Sequence, residues 1–155
     1  MRKLVLPLVT LLLAWRLVNP ASLAVVEGSS MEPTLRNGQV FVIDRLHYRH
    51  HSVAPGDVVA FRHGSDIYIK RVAAVAGQAV YLLVDPQTGA AEAIPPETAA
   101  WLSRPGMRRH DPRRLARVVV PPGHMYVMGD HRSVSYDSRD FGPVPLAMVI
   151  GRARW

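Results

Sequence analysis

Short apolar runs with the period of β-strands constrain the fold of this chain more than any other feature. Apolar residues alternate with polar ones, or form brief continuous runs, in the segments 39–43, 57–61, 67–75, 79–84, 125–128 and 147–152. Turn-forming pairs such as Asn37-Gly38 and Pro122-Gly123 separate these segments, and the 13 prolines disfavour long helices. The sequence therefore predicts an all-β domain.

Composition sets the outer limits. A chain of 155 residues with 48% hydrophobic residues is large enough to bury one core and is too apolar to be disordered. It contains no cysteine, which excludes disulfides, thiolate nucleophiles and cysteine-ligated zinc. The formal net charge of +7 favours an anionic partner, and both lipid headgroups and nucleic acid meet that description.

The N-terminus resembles a membrane anchor. Arg2 and Lys3 precede an apolar run over 4–18, which at about 15 residues is shorter than the ~20 that span a bilayer as a helix. Pro20 favours an end to that helix near residue 18. We predict a retained anchor helix over 1–22, with a cleaved export signal or an interfacial segment as the alternatives. The basic residues at the start predict a cytoplasmic N-terminus, with residues 23–155 on the other side of the membrane.

Ser30 and Lys70 form the most specific chemical pattern. Ser30 lies in the segment 28–35, Gly-Ser-Ser-Met-Glu-Pro-Thr-Leu, and Lys70 follows an alternating stretch. A serine hydroxyl is a poor nucleophile, and a lysine can take its proton only where burial lowers the pKa of the lysine amine. Ile67 and Ile69 are expected to supply that apolar setting. The pair therefore indicates a serine nucleophile with a lysine general base.

Two further segments stand around this pair in chain order, Gly-Asp-Val-Val-Ala-Phe over 56–61 and a long segment over 128–145 that begins Met-Gly-Asp. Together the four segments closely resemble the type I signal peptidase family, from Ser30 to about Val149. The resemblance implies a β-fold of two antiparallel sheets with an N-terminal membrane-anchor helix. In larger relatives a second subdomain follows the lysine strand, and residues 85–118 are expected to form a reduced version of it, with one short helix near 96–102.

The resemblance also implies a role for individual residues. Ser30, directly before Met31, matches the nucleophile, Lys70 matches the general base, and Ser135 matches a serine that orients the lysine amine. Asp137 and Arg139 match a supporting ion pair, for which an ordinary surface pair is the alternative. Two more charged residues belong to the same segment, Asp130 and Arg132.

The oxyanion donors are only partly assigned by the sequence. The backbone N–H of Ser30 is one candidate. Many bacterial relatives add a hydroxyl two residues before the nucleophile, where this chain has Gly28. The Ser29 side chain either contributes a donor or faces solvent. Met31 and Leu35 are expected at the substrate pocket or at an apolar rim that enters the bilayer.

Two basic clusters have other interpretations. The histidines in the segment 47–51 resemble metal ligands, but they lie in a predicted loop without the fixed ligand set of a zinc site, and no metal is expected. The arginines between Arg104 and Arg117 are interpreted as a solvated loop, with lipid contact as one alternative and nucleic-acid contact as the other.

The resemblance implies a membrane-anchored serine endopeptidase of the signal peptidase I type, single-pass in the plasma membrane, with its catalytic domain on the extracytoplasmic side. Its partners would be signal-peptide-bearing precursor proteins, with small residues before the cut, and the lipid bilayer. No cofactor and no nucleic acid are expected. The alternatives are a mitochondrial inner-membrane-type peptidase and a non-enzymatic, membrane-tethered β-domain that binds a partner. A self-cleaving repressor with a Ser-Lys pair is disfavoured, because no helical DNA-binding pattern precedes Ser30.

Overall fold

The computed structural model describes residues 21–107 and 111–155. In that part of the chain, ten strands form two antiparallel sheets. The strands are β1 (Ala21–Val25), β2 (Val40–Asp44), β3 (Val58–His63), β4 (Asp66–Val75), β5 (Ala79–Val84), β6 (Ala91–Ile94), β7 (Arg114–Val119), β8 (His124–Met128), β9 (Val144–Pro145) and β10 (Val149–Arg154). The helices are α1 (His47–His50), α2 (Pro96–Leu102), α3 (Ser138–Phe141) and a 3₁₀ turn (Leu146–Met148).

The larger sheet has seven strands in the order β1-β2-β10-β3-β4-β8-β9. Its centre is β3, a continuous apolar run, because this strand is covered on both faces. Val58 and Ala60 pack into a cluster with Phe41 and Ile43 on one face. Val59 and its neighbour Phe61 pack into a second cluster on the opposite face.

The long strand β4 connects the parts of the molecule. Over Asp66–Arg71 it pairs with β3, whereas its pairing with β8 on the other side begins only at Arg71. No strand in the described part of the chain pairs with that other side of 66–70. This open edge of β4 ends at Lys70.

The smaller sheet has the order β6-β5-β7. One face of β5, with Val80 and Leu82, packs against Tyr126 and Met128 of the larger sheet in a third apolar cluster. This sheet and α2 occupy the region 79–119, so the segment after the lysine strand is a small three-stranded layer.

The structure confirms the mostly β architecture with two antiparallel sheets. Strands occupy each of the six segments with strand periodicity, and the short helix over Pro96–Leu102 is also present. The anchor predicted over 1–22 lies outside the described residues, apart from Ala21 and Ser22, which belong to β1. None of the helices described in residues 21–107 and 111–155 is long and apolar enough to cross a bilayer.

Candidate active site

Ser30 and Lys70 lie side by side although they are distant in the sequence. The Nζ atom of Lys70 is 2.6 Å from Oγ of Ser30, which is hydrogen-bonding distance. Lys70 ends the open edge of β4, and Ser30 lies in the loop between β1 and β2. The sheet therefore brings the amine and the hydroxyl into direct contact.

The Lys70 side chain is kept from water. The residue is 3% exposed, and burial lowers the pKa of its amine, although the nearby Asp137 carboxylate opposes this shift. The ring of Tyr68, two residues earlier on the same face of β4, has its centroid 5.7 Å from Nζ. A lysine with a lowered pKa can hold an uncharged amine closer to neutral pH than an exposed lysine does.

The loop that carries Ser30 is fixed by its apolar neighbours. Met31 and Leu35 are 1% and 0% exposed and pack in the cluster beside β2, and the N–H of Leu35 donates to the carbonyl of Met31. Their predicted place at an apolar rim is therefore wrong, because both side chains belong to the core. Met31 still lines the cleft next to Ser30.

The segment 128–145 closes over the Ser30 loop from the other side. The N–H of His131 donates to the carbonyl of Ser30 over 3.0 Å. A Cβ atom at Gly129 would overlap the Ser135 side chain and would lie 2.5 Å from the Ser30 carbonyl oxygen. Glycine at position 129 is therefore what allows this close approach.

Asp137 anchors the same segment from inside. Its carboxylate is 0% exposed and accepts hydrogen bonds from the Arg139 guanidinium at 2.9 and 3.0 Å and from the Gly129 N–H at 2.9 Å. Burial alone would raise the pKa of Asp137, but these hydrogen bonds hold it below its usual value. Arg139 also donates to the carbonyl of Arg132. The predicted pair is thus a buried ion pair that shapes the loop, and not a solvated surface contact.

Ser135 lies beside Gly129, but its hydroxyl forms no hydrogen bond to Lys70, which with Ser30 makes up the Ser-Lys dyad. Within the described residues, its hydroxyl is buried and has no hydrogen bond of good geometry. It is nevertheless near enough to the Asp137 carboxylate to contribute to the lowered pKa of that group.

Asp130 pairs with Arg71, which the sequence did not single out as a supporting residue. Arg71 donates to both carboxylate oxygens of Asp130 at 2.8 and 2.7 Å, and also to the Thr34 hydroxyl at 3.2 Å. Arg132 is exposed and uses its backbone carbonyl to accept from Arg139. The only available signal for the Arg71 contact was its position directly after Lys70.

Gly28 and Ser29, the positions considered for an oxyanion donor, line the cleft directly before Ser30. Gly28 has a φ of +84°, a conformation that a side chain would strain, and its N–H donates to the Asn37 side chain. The carbonyl of Ser29 accepts from the Glu32 N–H within the turn. Gly28 thus has neither a side-chain donor nor a free N–H.

An open cleft of about 840 Å³ leads to Ser30 and Lys70. It runs between the segment 24–30 and the open edge of β4. Its floor includes Met31, Phe41 and Ile43 of the core. Ser30 and Lys70 are both among the residues that line the cleft.

No described residue of the two basic clusters lines this cleft. His47 stacks on His51 and contacts Arg152 and Arg154 of β10, and no group of three or more potential ligands suited to a metal is found among the described residues. The solvated loop predicted for the arginines between Arg104 and Arg117 is not found at its end, because Arg114 and Arg117 lie in β7. Arg113, directly before that strand, forms ion pairs with Asp111 and Glu92.

Comparison with known proteins identifies the family. The family model for signal peptidase, peptidase S26, matches residues 1–155. The mitochondrial ATP-independent inner membrane protease subunit 1b of Arabidopsis thaliana is 31% identical over 137 residues, covering 86% of this chain and 68% of the relative. The inactive signal peptidase IA of Staphylococcus aureus (strain MRSA252) is 26% identical over 159 residues, covering 97% of this chain and 90% of the relative. A signal peptidase I from Enterococcus faecalis V583 matches with a TM-score of 0.40 and 24% identity, covering 66% of this chain and 97% of that structure. The chain belongs to the signal peptidase family, peptidase S26.

Proposed function

We propose that this protein is a membrane-anchored serine endopeptidase that cleaves signal peptides from exported precursor proteins. The observation that carries the proposal is the 2.6 Å contact between the buried Lys70 amine and the Ser30 hydroxyl. One relative is named as inactive, so family membership alone does not establish catalysis. The proposal therefore rests on the dyad geometry.

The uncharged Lys70 amine removes the proton from Ser30 as Oγ attacks the substrate carbonyl carbon. The tetrahedral intermediate collapses as the carbon–nitrogen bond breaks, and the Lys70 ammonium gives its proton to the leaving amine. Lys70 then takes a proton from a water molecule that attacks the acyl-enzyme ester. Collapse of the second intermediate breaks the bond to Oγ, returns the proton from Lys70 to Ser30 and releases the new carboxylic acid, which then loses its proton to water.

We assign the first oxyanion donor to the backbone N–H of Ser30 and the second to the Ser29 hydroxyl. Gly28 is excluded as a donor because it has no side chain and its N–H is bonded to Asn37. Ser135, Asp130, Arg132, Asp137 and Arg139 are assigned as supporting residues. They act by holding the 128–145 segment against Lys70 and the Ser30 loop.

The substrate would lie in the cleft as an extended strand. The open edge of β4 offers unpaired backbone groups, and a peptide can pair with such an edge as an added strand. The floor below Ser30 is formed by Met31, Phe41 and Ile43, which are already packed. Little depth is left there for a substrate side chain, which agrees with small residues before the cut.

The proposed location is the outer side of the plasma membrane, with the part of 1–22 that precedes β1 as a single-pass anchor and the bilayer as a partner. Leu23, Val25 and Val40 support this, because they are exposed apolar side chains on one face of β1 and β2, directly after the proposed anchor. No cofactor and no nucleic acid enter the proposed reaction.

A mitochondrial inner-membrane-type peptidase is the second candidate, and the 31% identity to the Arabidopsis subunit favours it. Both candidates use the same dyad, so they differ in the membrane that holds the protein and in the precursors that are cut. Parallel assays with a bacterial secretory precursor and a mitochondrial intermembrane-space precursor distinguish them.

The full chain in detergent, mixed with a model precursor, tests the proposed reaction. Wild type is expected to release the mature product, while Ser30→Ala and Lys70→Ala reduce the rate by at least about a thousandfold. Ser133→Ala, an exposed serine of the same segment, serves as the matched control and should cut normally. Equal cleavage by all four proteins would overturn the proposal, and a non-enzymatic binding domain would then be the better interpretation.

A further inference from the structure

Tyr68, Tyr136 and Phe141 form an aromatic cluster, here called the aromatic wall, that the proposed chemistry does not use. Tyr136 is 54% exposed and lines the cleft, together with Tyr68 of β4. The Tyr136 ring packs edge-on against Phe141 with centroids 5.3 Å apart, and its centroid is 6.5 Å from that of Tyr68. The Tyr136 side chain is therefore partly exposed in the cleft and partly packed against the other rings of the wall.

The wall is rigid because each ring has a further partner. Phe141 stacks on His63 with centroids 4.2 Å apart, and Tyr68 lies 6.0 Å from the buried Phe61. Tyr136 immediately precedes Asp137, whose buried carboxylate caps α3 and is paired with Arg139. The backbone below Tyr136 is therefore fixed, and the ring is presented in one place.

Because side chains alternate along a strand, successive side chains of a peptide bound along β4 contact different parts of the cleft. Tyr68 and Lys70 point to one side of β4, whereas Ile69 points to the other and packs against the cluster that contains Met31. A peptide that extends along this edge also alternates its side chains between the two sides. The packed side chains of Met31, Phe41 and Ile43 leave little depth below Ser30, so we place the small residue before the cut on that side of the cleft. The preceding residue then faces the opposite side, where Tyr68 and Tyr136 line the cleft.

We propose that Tyr136, supported by Tyr68, is a specificity-determining residue that binds a large apolar or aromatic side chain at the second substrate position before the scissile bond. This inference rests on the proposed function for the identity of its ligand, a peptide bound across the dyad. Val134, 55% exposed, extends the apolar surface along the same wall. Exposed apolar groups at the rim of a cleft are typical of a binding site.

The test compares substrate peptides that differ only at this position, with alanine, leucine, phenylalanine or glutamate. Wild type is expected to cut the phenylalanine peptide about five- to tenfold more efficiently in kcat/KM than the alanine peptide, the range that one aromatic contact provides. In Tyr136→Ala this ratio should fall to near one, and in Tyr136→Phe it should be retained. Trp101→Ala, which removes a similarly exposed aromatic ring on α2 outside the cleft, should keep the wild-type ratio.

Peptide binding to the Ser30→Ala protein, measured by fluorescence anisotropy in detergent, separates this inference from the proposed function. The phenylalanine peptide should bind more tightly than the alanine peptide, and adding Tyr136→Ala should remove the difference. If wild type cuts nothing but the binding difference depends on Tyr136, the proposed function fails and the aromatic site stands. If removal of the Tyr136 ring changes neither the kcat/KM ratio nor the affinity ratio of the phenylalanine and alanine peptides, the inference is overturned. Tyr136→Leu, which keeps an apolar side chain, provides a second variant where thermal unfolding shows the alanine protein to be unstable.

Discussion

Arg71 and Asp130 form a bidentate ion pair that connects β4 to the segment beginning at Gly129. The contact distances are 2.8 and 2.7 Å, and the side chains are 31% and 12% exposed. Arg71 also donates to the Gly56 carbonyl and to the Thr34 hydroxyl. One guanidinium therefore joins three segments that the sequence separates widely, next to Lys70.

Replacing Asp130 by Asn should loosen this junction. Asn keeps the shape but removes the charge that strengthens both hydrogen bonds, so we expect a loss of about 1–3 kcal/mol in the free energy of unfolding. Because Lys70 neighbours Arg71, kcat should fall about tenfold or more with a smaller change in KM. Urea unfolding and steady-state kinetics measure the two effects. Arg113→Lys, at a solvent-exposed ion pair that is not part of the cleft lining, should leave both the urea midpoint and kcat close to their wild-type values.

The pH dependence of cleavage should follow the lowered pKa of Lys70. Only the uncharged amine can accept the Ser30 proton, so kcat/KM should rise with pH and reach half its maximum below 10.5, the ordinary lysine value. The sequence makes a direct titration practical, because its lysines are Lys3 and Lys70. In a Lys3→Arg protein labelled with ¹⁵N-lysine, the one remaining Nζ signal should titrate at the same lowered pH as the activity. A signal that titrates at the ordinary value would contradict a buried base.

Stability should respond to the same group. Burial lowers the folded-state pKa of Lys70, so between the two pKa values the unfolded chain binds more protons than the folded chain. The penalty for a buried charge is therefore fully present below the folded-state pKa, and it is lost as the pH rises toward 10.5. Lys70→Met removes the penalty, so its stability advantage over wild type should shrink as the pH is raised. Urea unfolding of both proteins across this range measures the difference, and a constant difference would argue against the lowered pKa.

Gly129→Ala tests the close approach of the two loops. The added methyl group would overlap the Ser135 side chain and crowd the Ser30 carbonyl, so the loops must separate. We expect a loss of about 1–3 kcal/mol in stability and at least a tenfold loss in kcat at a temperature where the protein is folded. Gly151→Ala is the matched control, because its methyl group would crowd the Asp44 backbone, away from the dyad. Gly151→Ala should lower the free energy of unfolding, whereas kcat, calculated per folded molecule, should equal the wild-type value.

The strand periodicity of the sequence was sufficient to predict most of the larger sheet. β3 was recognisable as a buried run and β4 as an alternating one, because burial on two faces or one leaves those patterns. β6 and β7 were not predicted. Their apolar residues are interrupted by Glu92, Arg114 and Arg117, since one face of the small sheet is open to solvent.

Side-chain partners were harder to predict than strands. The approach of Ser30 to Lys70 was expected from the resemblance, and the structure places them in contact. The Arg71 contact with Asp130 depends on the register of two strands, and periodicity does not give a register. Burial of Met31 and Leu35 was missed for a related reason. An apolar residue in a loop has the same sequence signature whether it faces lipid or the core.

Nucleophile and base stand 40 positions apart and meet only through the completed larger sheet. Ser30 precedes β2, whereas Lys70 ends the open edge of β4, and β10 and β3 lie between β2 and β4 in the strand order. β2 is joined to β3 and β4 only through β10, so the strand that links the Ser30 side of the sheet to the Lys70 side lies far from both residues in the sequence. The distance between the hydroxyl and the amine therefore depends on a strand that contains neither of them.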